Sequence, residues 1–189
     1  MKGYKAFTID MACVPTNKNR FQYEVGKEYS LPEGSPLTIC KSGFHFCPDV
    51  PNVYNWYADS FITRVCEVEA LGKIVTDKSG DKCATDRIRI IRELSPGEIV
   101  LQILNGPWNL WTLSNMRRSL RTPYSTVAKF APLEFIKTRR DAFKKALNEI
   151  EKSERFIELY GSCKARYVYG ETKVVDGKIV HGEVRKEDE

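Results

Sequence analysis

The chain has 189 residues, of which 42% are hydrophobic and 29% are charged, and its formal net charge is +5. This length suffices for one ordinary domain plus an appendage, with a core that needs no disulfide or metal to hold it. No window approaches the roughly 20 apolar residues of a membrane span, and the first residues lack the apolar run of a signal peptide. We therefore expect a cytoplasmic protein without membrane contacts.

Short runs of alternating apolar and polar residues predict strands through the first half of the chain. The predicted strands cover residues 4–9, 21–25, 37–40, 44–47, 61–71, 73–75 and 87–91. Turn residues at 28–36 and a charged loop at 77–86 separate some of them. In the run 61–71, Glu67 and Glu69 project from the same face, about 7 Å apart along the strand.

Helices are predicted from aromatic spacing and from a capping signal. A short helix after Pro48 gathers Val53, Tyr54, Trp56 and Tyr57 into one aromatic face. Ser95 and Glu98 form a capping box around a proline, which predicts a helix towards residue 104. Residues 105–107 should end it, and we place the domain boundary there: a mixed α+β domain at 1–105, then a helical extension with a C-terminal hairpin at 106–189.

The extension carries its own signals. Apolar residues predict an amphipathic helix from about residue 108, and a second, long helix from about residue 132 to residue 160 that Gly161 ends. The apolar stripe of the long helix should pack on the first domain or on another subunit, as in a homo-oligomer. Asp176 and Gly177 predict a closing β-hairpin. The expected fold class is α+β, with a mixed β-sheet domain followed by a helical extension and hairpin.

The six cysteines are expected to be reduced thiols, because disulfide frameworks belong to short secreted chains. The set closest to a metal site is Cys40, His45 and Cys47, of which the last two share a strand face. A zinc ion would need a fourth ligand, such as Cys13 or a distant residue. The alternative is that these cysteines are small buried core residues, and our prediction includes no metal site.

A basic segment at 116–145 contains nine Lys and Arg residues against two acidic ones. On one surface, this excess would suit a polyanion, with arginines on phosphates and Trp108 or Trp111 stacked on a base. The structural alternative is a solvated helix face answered by the acidic residues that follow, with the tryptophans buried in the helical layer. Nucleic-acid binding is therefore an alternative function.

The familiar nucleotide and hydrolase motifs are absent, but the order of elements is informative. A first strand YKAF, a later strand GFHF, a helix YNWYA and a strand EVE follow one another. This order resembles that of the ADP-ribosyltransferases. That resemblance implies a pocket for NAD or a related nucleotide, with Tyr4 and Lys5 at the first motif and His45 and Phe46 at the nicotinamide-stacking motif. Glu67 or Glu69 would take the place of the glutamate that orients the ribose.

Further roles follow from the same resemblance. The Gly43 backbone would approach the ligand, and Tyr54 and Tyr57 would line the pocket from the helix. His45 would stack on the leaving group or act in catalysis, while a glutamate would stabilise an oxocarbenium-like state. The alternative is that Glu67 and Glu69 are solvent-facing residues of a half-exposed strand.

A second similarity rests on the strings KGYKAF, FQYEVGKEY, CKSGFHFC, VEALG and IRIIRELS, which occur in this order within residues 2–95. Together they resemble a family of small phage and prophage proteins of unassigned function. This implies a protein in the host cytoplasm that modifies a host factor or counters host defence. Two functions therefore stay open for the pocket: transfer of ADP-ribose to a host protein, or non-enzymatic sequestering of a ligand or interaction with a protein.

Overall fold

A computed structural model of the protein describes residues 1–13, 21–56, 63–106, 109–121, 123, 131–167, 172–175 and 178–181. Within these residues the fold is α+β, which confirms the predicted class. The predicted mixed sheet is wrong for the described strands, because every pair among them is antiparallel. The strands are β1 (Lys2–Phe7), β2 (Glu28–Ser30), β3 (Phe44–Phe46), β4 (Arg64–Ala70), β5 (Ile74–Thr76), β6 (Cys83–Thr85), β7 (Arg87–Glu93), β8 (Thr172–Val175) and β9 (Lys178–His181). The helices are α1 (Val50–Trp56), α2 (Pro96–Asn105), α3 (Asn109–Ser119), α4 (Leu133–Ile150) and α5 (Glu154–Tyr167).

Two sheets build the first half of the chain. The larger sheet has the strand order β1-β4-β7-β2, and the smaller has the order β3-β6-β5. One face of the larger sheet packs an apolar core with aromatic residues of β3. Its members alternate along each strand, as expected for sheet residues that point to one side, and include Phe7, Cys66, Val68, Ile88 and Ile90.

Helices α1, α2 and α3 contact one another, and α1 also contacts β1. The predicted capping box at the start of α2 is confirmed: the Glu98 amide donates to the Ser95 hydroxyl, and the Ser95 amide donates to the Glu98 carboxylate. Ile99 and Ile103 of α2 are fully buried. The hydrophobic effect therefore holds this helix in place, while the cap sets where it begins.

Several short strands differ from the prediction. Residues 21–25 form only an isolated bridge between Ala12 and Gln22, and residues 37–40 enter a turn closed by Thr38 and Ser42. Conversely, β2 lies within the predicted turn region and β6 within the predicted charged loop. β2 is a strand because it pairs with β7, and β6 is a strand because it pairs with β3 and β5. Three residues are too few to show the alternation of apolar and polar residues that predicts a strand.

The predicted long helix is two helices. The chain turns at residues 151–153, and Ser153 caps α5 by accepting a hydrogen bond from the Phe156 amide. Gly161 does not end the helix, which continues to Tyr167, because a single helical glycine costs only about 1 kcal/mol. The hairpin prediction is confirmed in its pairing, since Val175 lies opposite Lys178.

The chain divides into two compact units, Met1–Lys144 and Lys145–Glu189. The first contains both larger sheets and α1 to α3, and in the second α5 contacts β8. The domain boundary near residue 105 stays a prediction, because a unit that is compact in space need not be a domain that folds by itself. Among the described helices, none combines the length and apolar character needed to cross a bilayer.

Candidate functional site

A cavity lies where the two sheets meet. The Tyr4 amide donates to the Cys47 carbonyl at 2.7 Å, and the Cys47 amide donates to the Tyr4 carbonyl at 2.7 Å. This reciprocal pair fastens the end of β3 to the free edge of β1. Gly3 makes the approach feasible, since a Cβ at that position would lie 2.5 Å from the Phe46 ring and 2.7 Å from the Cys47 carbonyl oxygen. The sequence therefore needs a glycine here for packing.

The structure brings four of the predicted site residues to this cavity. Tyr4 and Lys5 of β1 and His45 and Phe46 of β3 all line it. The cavity itself has a volume of about 20 Å³ and opens to solvent. Small-molecule sites usually have volumes of about 300–1,000 Å³. The cavity therefore encloses little more than one water molecule, and a larger ligand would contact it from the open side.

Lys5 is buried beneath the cavity. Its ammonium group donates to the His45 carbonyl at 2.8 Å and lies 5.4 Å from the centre of the Tyr23 ring. Burial lowers the pKa of Lys5, and the nearby Cys13 and Cys47 thiols oppose that shift. The aromatic ring and the carbonyl partly compensate for the water that the amine has lost.

His45 holds a turn through its ring. Its Nε2 accepts a hydrogen bond from the Cys40 amide at 2.8 Å, and Cys40 has a left-handed backbone with φ of 62°. Burial is the main cause that lowers the pKa of His45, and the positive charges of Lys5 and Lys82 lower it further. The imidazole is thus neutral at pH 7, with the lone pair of Nε2 engaged. In this arrangement His45 supports the cavity wall, and the Nε2 position is not open to a general base role.

Two residues that the sequence did not single out as site residues complete the cavity: Trp56 and Lys82. The Lys82 ammonium lies 3.3 Å from the centre of the Trp56 ring, a cation–π contact, and Trp56 is 48% exposed. Trp56 belonged to the predicted aromatic helix. Lys82 had no local signal, because pairing of Phe46 with Cys83 across β3 and β6 is what carries it to the cavity.

The residues that line the cavity carry positive charge. Lys5 and Lys82 contribute to it, and no Asp or Glu is among its lining residues in the part of the chain that the structure describes. Lys82 also lies 3.5 Å from the Cys40 sulfur, at the exposed turn that His45 holds. Burial raises the pKa of the Cys47 thiol, which also lines the cavity, to about 12. Cys47 is therefore an uncharged thiol at neutral pH.

Glu67 and Glu69 do not line the cavity. They lie on one face of β4, as predicted, within a network of ion pairs across the larger sheet. Glu67 contacts Lys2 at 3.1 Å and Arg92 at 3.2 Å, and Glu69 contacts Arg89 at 3.1 Å. Each carboxylate is therefore already paired with a cation of the chain.

Glu67 is nevertheless linked to the cavity through Tyr4, because the two residues lie directly opposite each other on β4 and β1. Burial is the main cause that raises the pKa of Tyr4, and the charges of Glu67 and Asp49 raise it further. The Glu67 side chain is 17% exposed. Of the two glutamates, Glu67 is the one that lies beside a residue of the cavity wall.

The remaining predicted site residues lie elsewhere. Gly43 has φ of 121°, and a Cβ there would meet Leu37 at 2.6 Å, so protein atoms fill the space beside it. Tyr54 is buried in the interior, where burial raises its pKa. Its hydroxyl has no hydrogen-bond partner among the described residues. Tyr57 lies outside the described residues.

The predicted metal-like set has other roles in the fold. Within the residues that the structure describes, no group of three or more His, Cys, Asp and Glu side chains is arranged to hold a metal ion. Cys40 is exposed, Cys47 is buried, and the His45 ring nitrogen that could serve as a ligand accepts the Cys40 amide instead.

Comparison with known proteins identifies a family but no function. No curated protein matches the chain, and no solved structure matches it. A family described as "Domain of unknown function (DUF7666)" matches residues 1–102, which include every residue that lines the cavity. The chain therefore belongs to the DUF7666 family.

Proposed function

We propose that the cavity between the two sheets binds a small anionic ligand with a planar ring, of which a nucleotide is the best-fitting class. The observation that carries this proposal is the Trp56–Lys82 pair at the mouth of a cavity whose described lining has no carboxylate. An aromatic ring supplies a stacking surface for a base, and an ammonium group supplies a partner for a phosphate. Both chemistries occur here within one contact.

The electrostatics of the wall favour an anion over a cation. The Lys82 ammonium group is half-buried, and its contact with the Trp56 ring holds it at the cavity before any ligand arrives. Preorganised side chains lose less freedom on binding, which improves affinity. A bound phosphate would replace part of the water around Lys82, while the base packs on the exposed part of Trp56.

The size of the cavity limits the ligand. A cavity of about 20 Å³ encloses little more than one water molecule, so most of a bound nucleotide would lie outside it, against the exposed part of Trp56. We therefore expect nucleoside monophosphates and ADP-ribose to bind at least as tightly per atom as NAD. Sequestering such a ligand requires no catalytic group, and this is the function we favour.

A thermal-shift panel of nucleoside monophosphates, ADP-ribose, NAD and cyclic nucleotides tests the proposal. A ligand at ten times its Kd stabilises the folded state by about 1.4 kcal/mol, a rise in melting temperature of roughly 3–6 °C for a chain of this length. Trp56→Ala should abolish the rise, and Trp56→Phe, which keeps a ring, should retain part of it. An unchanged melting temperature across the panel would refute nucleotide binding.

Transfer of ADP-ribose is the second candidate, and the position of Glu67 beside Tyr4 is the observation that favours it. The order of elements that resembles the ADP-ribosyltransferases supports it, and a phage-encoded protein would use it on a host target. The paired state of Glu67 opposes it, because Lys2 and Arg92 already neutralise the carboxylate.

The two glutamates give a matched test of transfer. Glu67→Gln should abolish nicotinamide release from NAD, while Glu69→Gln, two residues further along the same face, should leave it nearly unchanged. Equal loss in both variants would indicate a shared structural effect. No release by the wild type with a panel of host proteins would leave binding as the function of the cavity.

A further inference from the structure

A second surface, separate from the cavity, combines an exposed tryptophan with arginines on one helix. Trp111 of α3 is 58% exposed, the same fraction as Leu133 and more than any other described tryptophan, phenylalanine or valine. Sequence reasoning favoured tryptophans buried in the helical layer, and for Trp111 that expectation is wrong. Between Trp111 and Ser119, the part of α3 whose side chains the structure describes, the buried residues are Thr112, Leu113 and Met116. The helix therefore packs through a face that leaves Trp111 in solvent.

Arginines follow Trp111 on the solvent side of the same helix. Arg117, Arg118 and Arg121 are all exposed, at and just after the end of α3. Arg118 is seven residues from Trp111, which is two helical turns, so the two side chains lie on one line about 10 Å apart. Arg117 lies about 100° around the helix from Arg118, and Arg121 follows the end of α3.

No negative charge is interleaved along this helix. Residues 109–121 contain three arginines and no acidic residue. We call the exposed side chains of Trp111, Arg118 and Arg121 the α3 face. Its charge is complementary to a polyanion.

We propose that the α3 face binds single-stranded nucleic acid. Arginine side chains contact phosphates, and an exposed indole ring stacks on a base that is free of pairing, which a duplex does not offer. An acidic protein segment would use the arginines but would gain little from the ring. The exposed tryptophan therefore favours a single strand over an acidic protein as the partner.

Two variants have different signatures in this proposal. Trp111→Ala removes a stacking surface, so we expect binding of a labelled oligothymidylate to weaken by about 5- to 150-fold without a change in salt dependence. Arg118→Gln removes one phosphate contact, so the slope of log K against log salt should become shallower by about 0.7. Trp111→Phe, which keeps a ring, should retain most of the affinity.

Two control variants test whether the oligonucleotide binds through arginines elsewhere on the protein or through the cavity. Arg87→Gln removes an arginine of the larger sheet, and it should leave both affinity and slope almost unchanged. Lys82→Gln should also leave oligothymidylate binding unchanged, so failure of the nucleotide proposal and failure of this one are distinguishable.

Fluorescence anisotropy of labelled oligothymidylate across a salt series, with sedimentation of the free protein, decides the matter. The proposal is overturned by any of three results. The first is that the wild type does not bind the oligonucleotide at low salt. The second is that polyglutamate competes as well as unlabelled oligonucleotide, and that Trp111→Ala does not change the affinity. The third is that the wild type is a dimer that Trp111→Ala separates, which would mean that a second copy covers the α3 face.

Discussion

Substituting Gly3 by alanine tests whether the cavity depends on the close contact between the two sheets. The new Cβ would lie 2.5 Å from the Phe46 ring and 2.7 Å from the Cys47 carbonyl oxygen, closer than real atoms approach. Overpacking of this kind costs typically 1–3 kcal/mol. If the strands separate to relieve it, the two hydrogen bonds between Tyr4 and Cys47 are lost as well, at about 1 kcal/mol each.

The expected loss is therefore about 1–5 kcal/mol of the free energy of unfolding, measured by urea denaturation followed by circular dichroism. Gly97→Ala is the matched control, because a Cβ there has its nearest neighbour at 4.0 Å and lies in helix α2. Alanine should stabilise that position by roughly 0.5–1 kcal/mol. A loss below about 0.5 kcal/mol for Gly3→Ala would refute the close packing of β1 against the end of β3.

Three further predictions concern single groups. At pH values between the lowered pKa of Lys5 and its ordinary value of 10.5, the unfolded state binds more protons than the folded state. The free energy of unfolding of the wild type, relative to that of Lys5→Met, should therefore rise with pH in urea titrations. A difference between the two proteins that does not change with pH would contradict a buried amine. Cys40→Ser should remove one rapidly reacting thiol from a DTNB assay, because Cys40 is exposed while burial raises the pKa of Cys47 and Cys66 to about 12; unchanged fast labelling would contradict this. Ser95→Ala should lower the free energy of unfolding by about 1 kcal/mol through loss of the helix cap, and an unaltered melting curve would show that packing alone fixes the start of α2.

The parts of the fold that the sequence predicted are those with local causes. Strand β4 alternates in burial over most of its length, the capping box starts α2, and Asp176 with Gly177 separates the two paired strands of the hairpin. Each signal depends on residues within about ten positions of one another.

The parts that the sequence missed depend on distant partners or on small local energies. Strand β2 is a polar three-residue segment that gains its identity from β7, where Glu28 pairs with Arg87 and Arg89. The break between α4 and α5 has neither proline nor glycine, and a serine cap is enough to divide the helix. Gly161 does not end α5, since one glycine in a helix costs only about 1 kcal/mol.

The candidate site divides in the same way. Tyr4, Lys5, His45 and Phe46 were predicted, and they line one cavity. Lys82 was missed because only the pairing of β6 with β3 carries it there. Glu67 and Glu69 were chosen for a shared strand face, but a face does not specify partners, and the structure surrounds them with Lys2, Arg89 and Arg92.

Calorimetric titration of AMP, ADP-ribose and NAD into the wild type, Lys82→Gln and Lys78→Gln tests ligand binding in the cavity most directly. Lys78 is exposed in the same loop, so the two variants lose the same charge within four residues of each other. A charge-assisted hydrogen bond contributes about 1.5–3 kcal/mol, so at least one of the ligands should bind the wild type and Lys78→Gln alike and bind Lys82→Gln roughly 10- to 150-fold more weakly. Absence of binding by all three ligands, or equal affinities for the two variants, would contradict an anion site at Lys82 and Trp56.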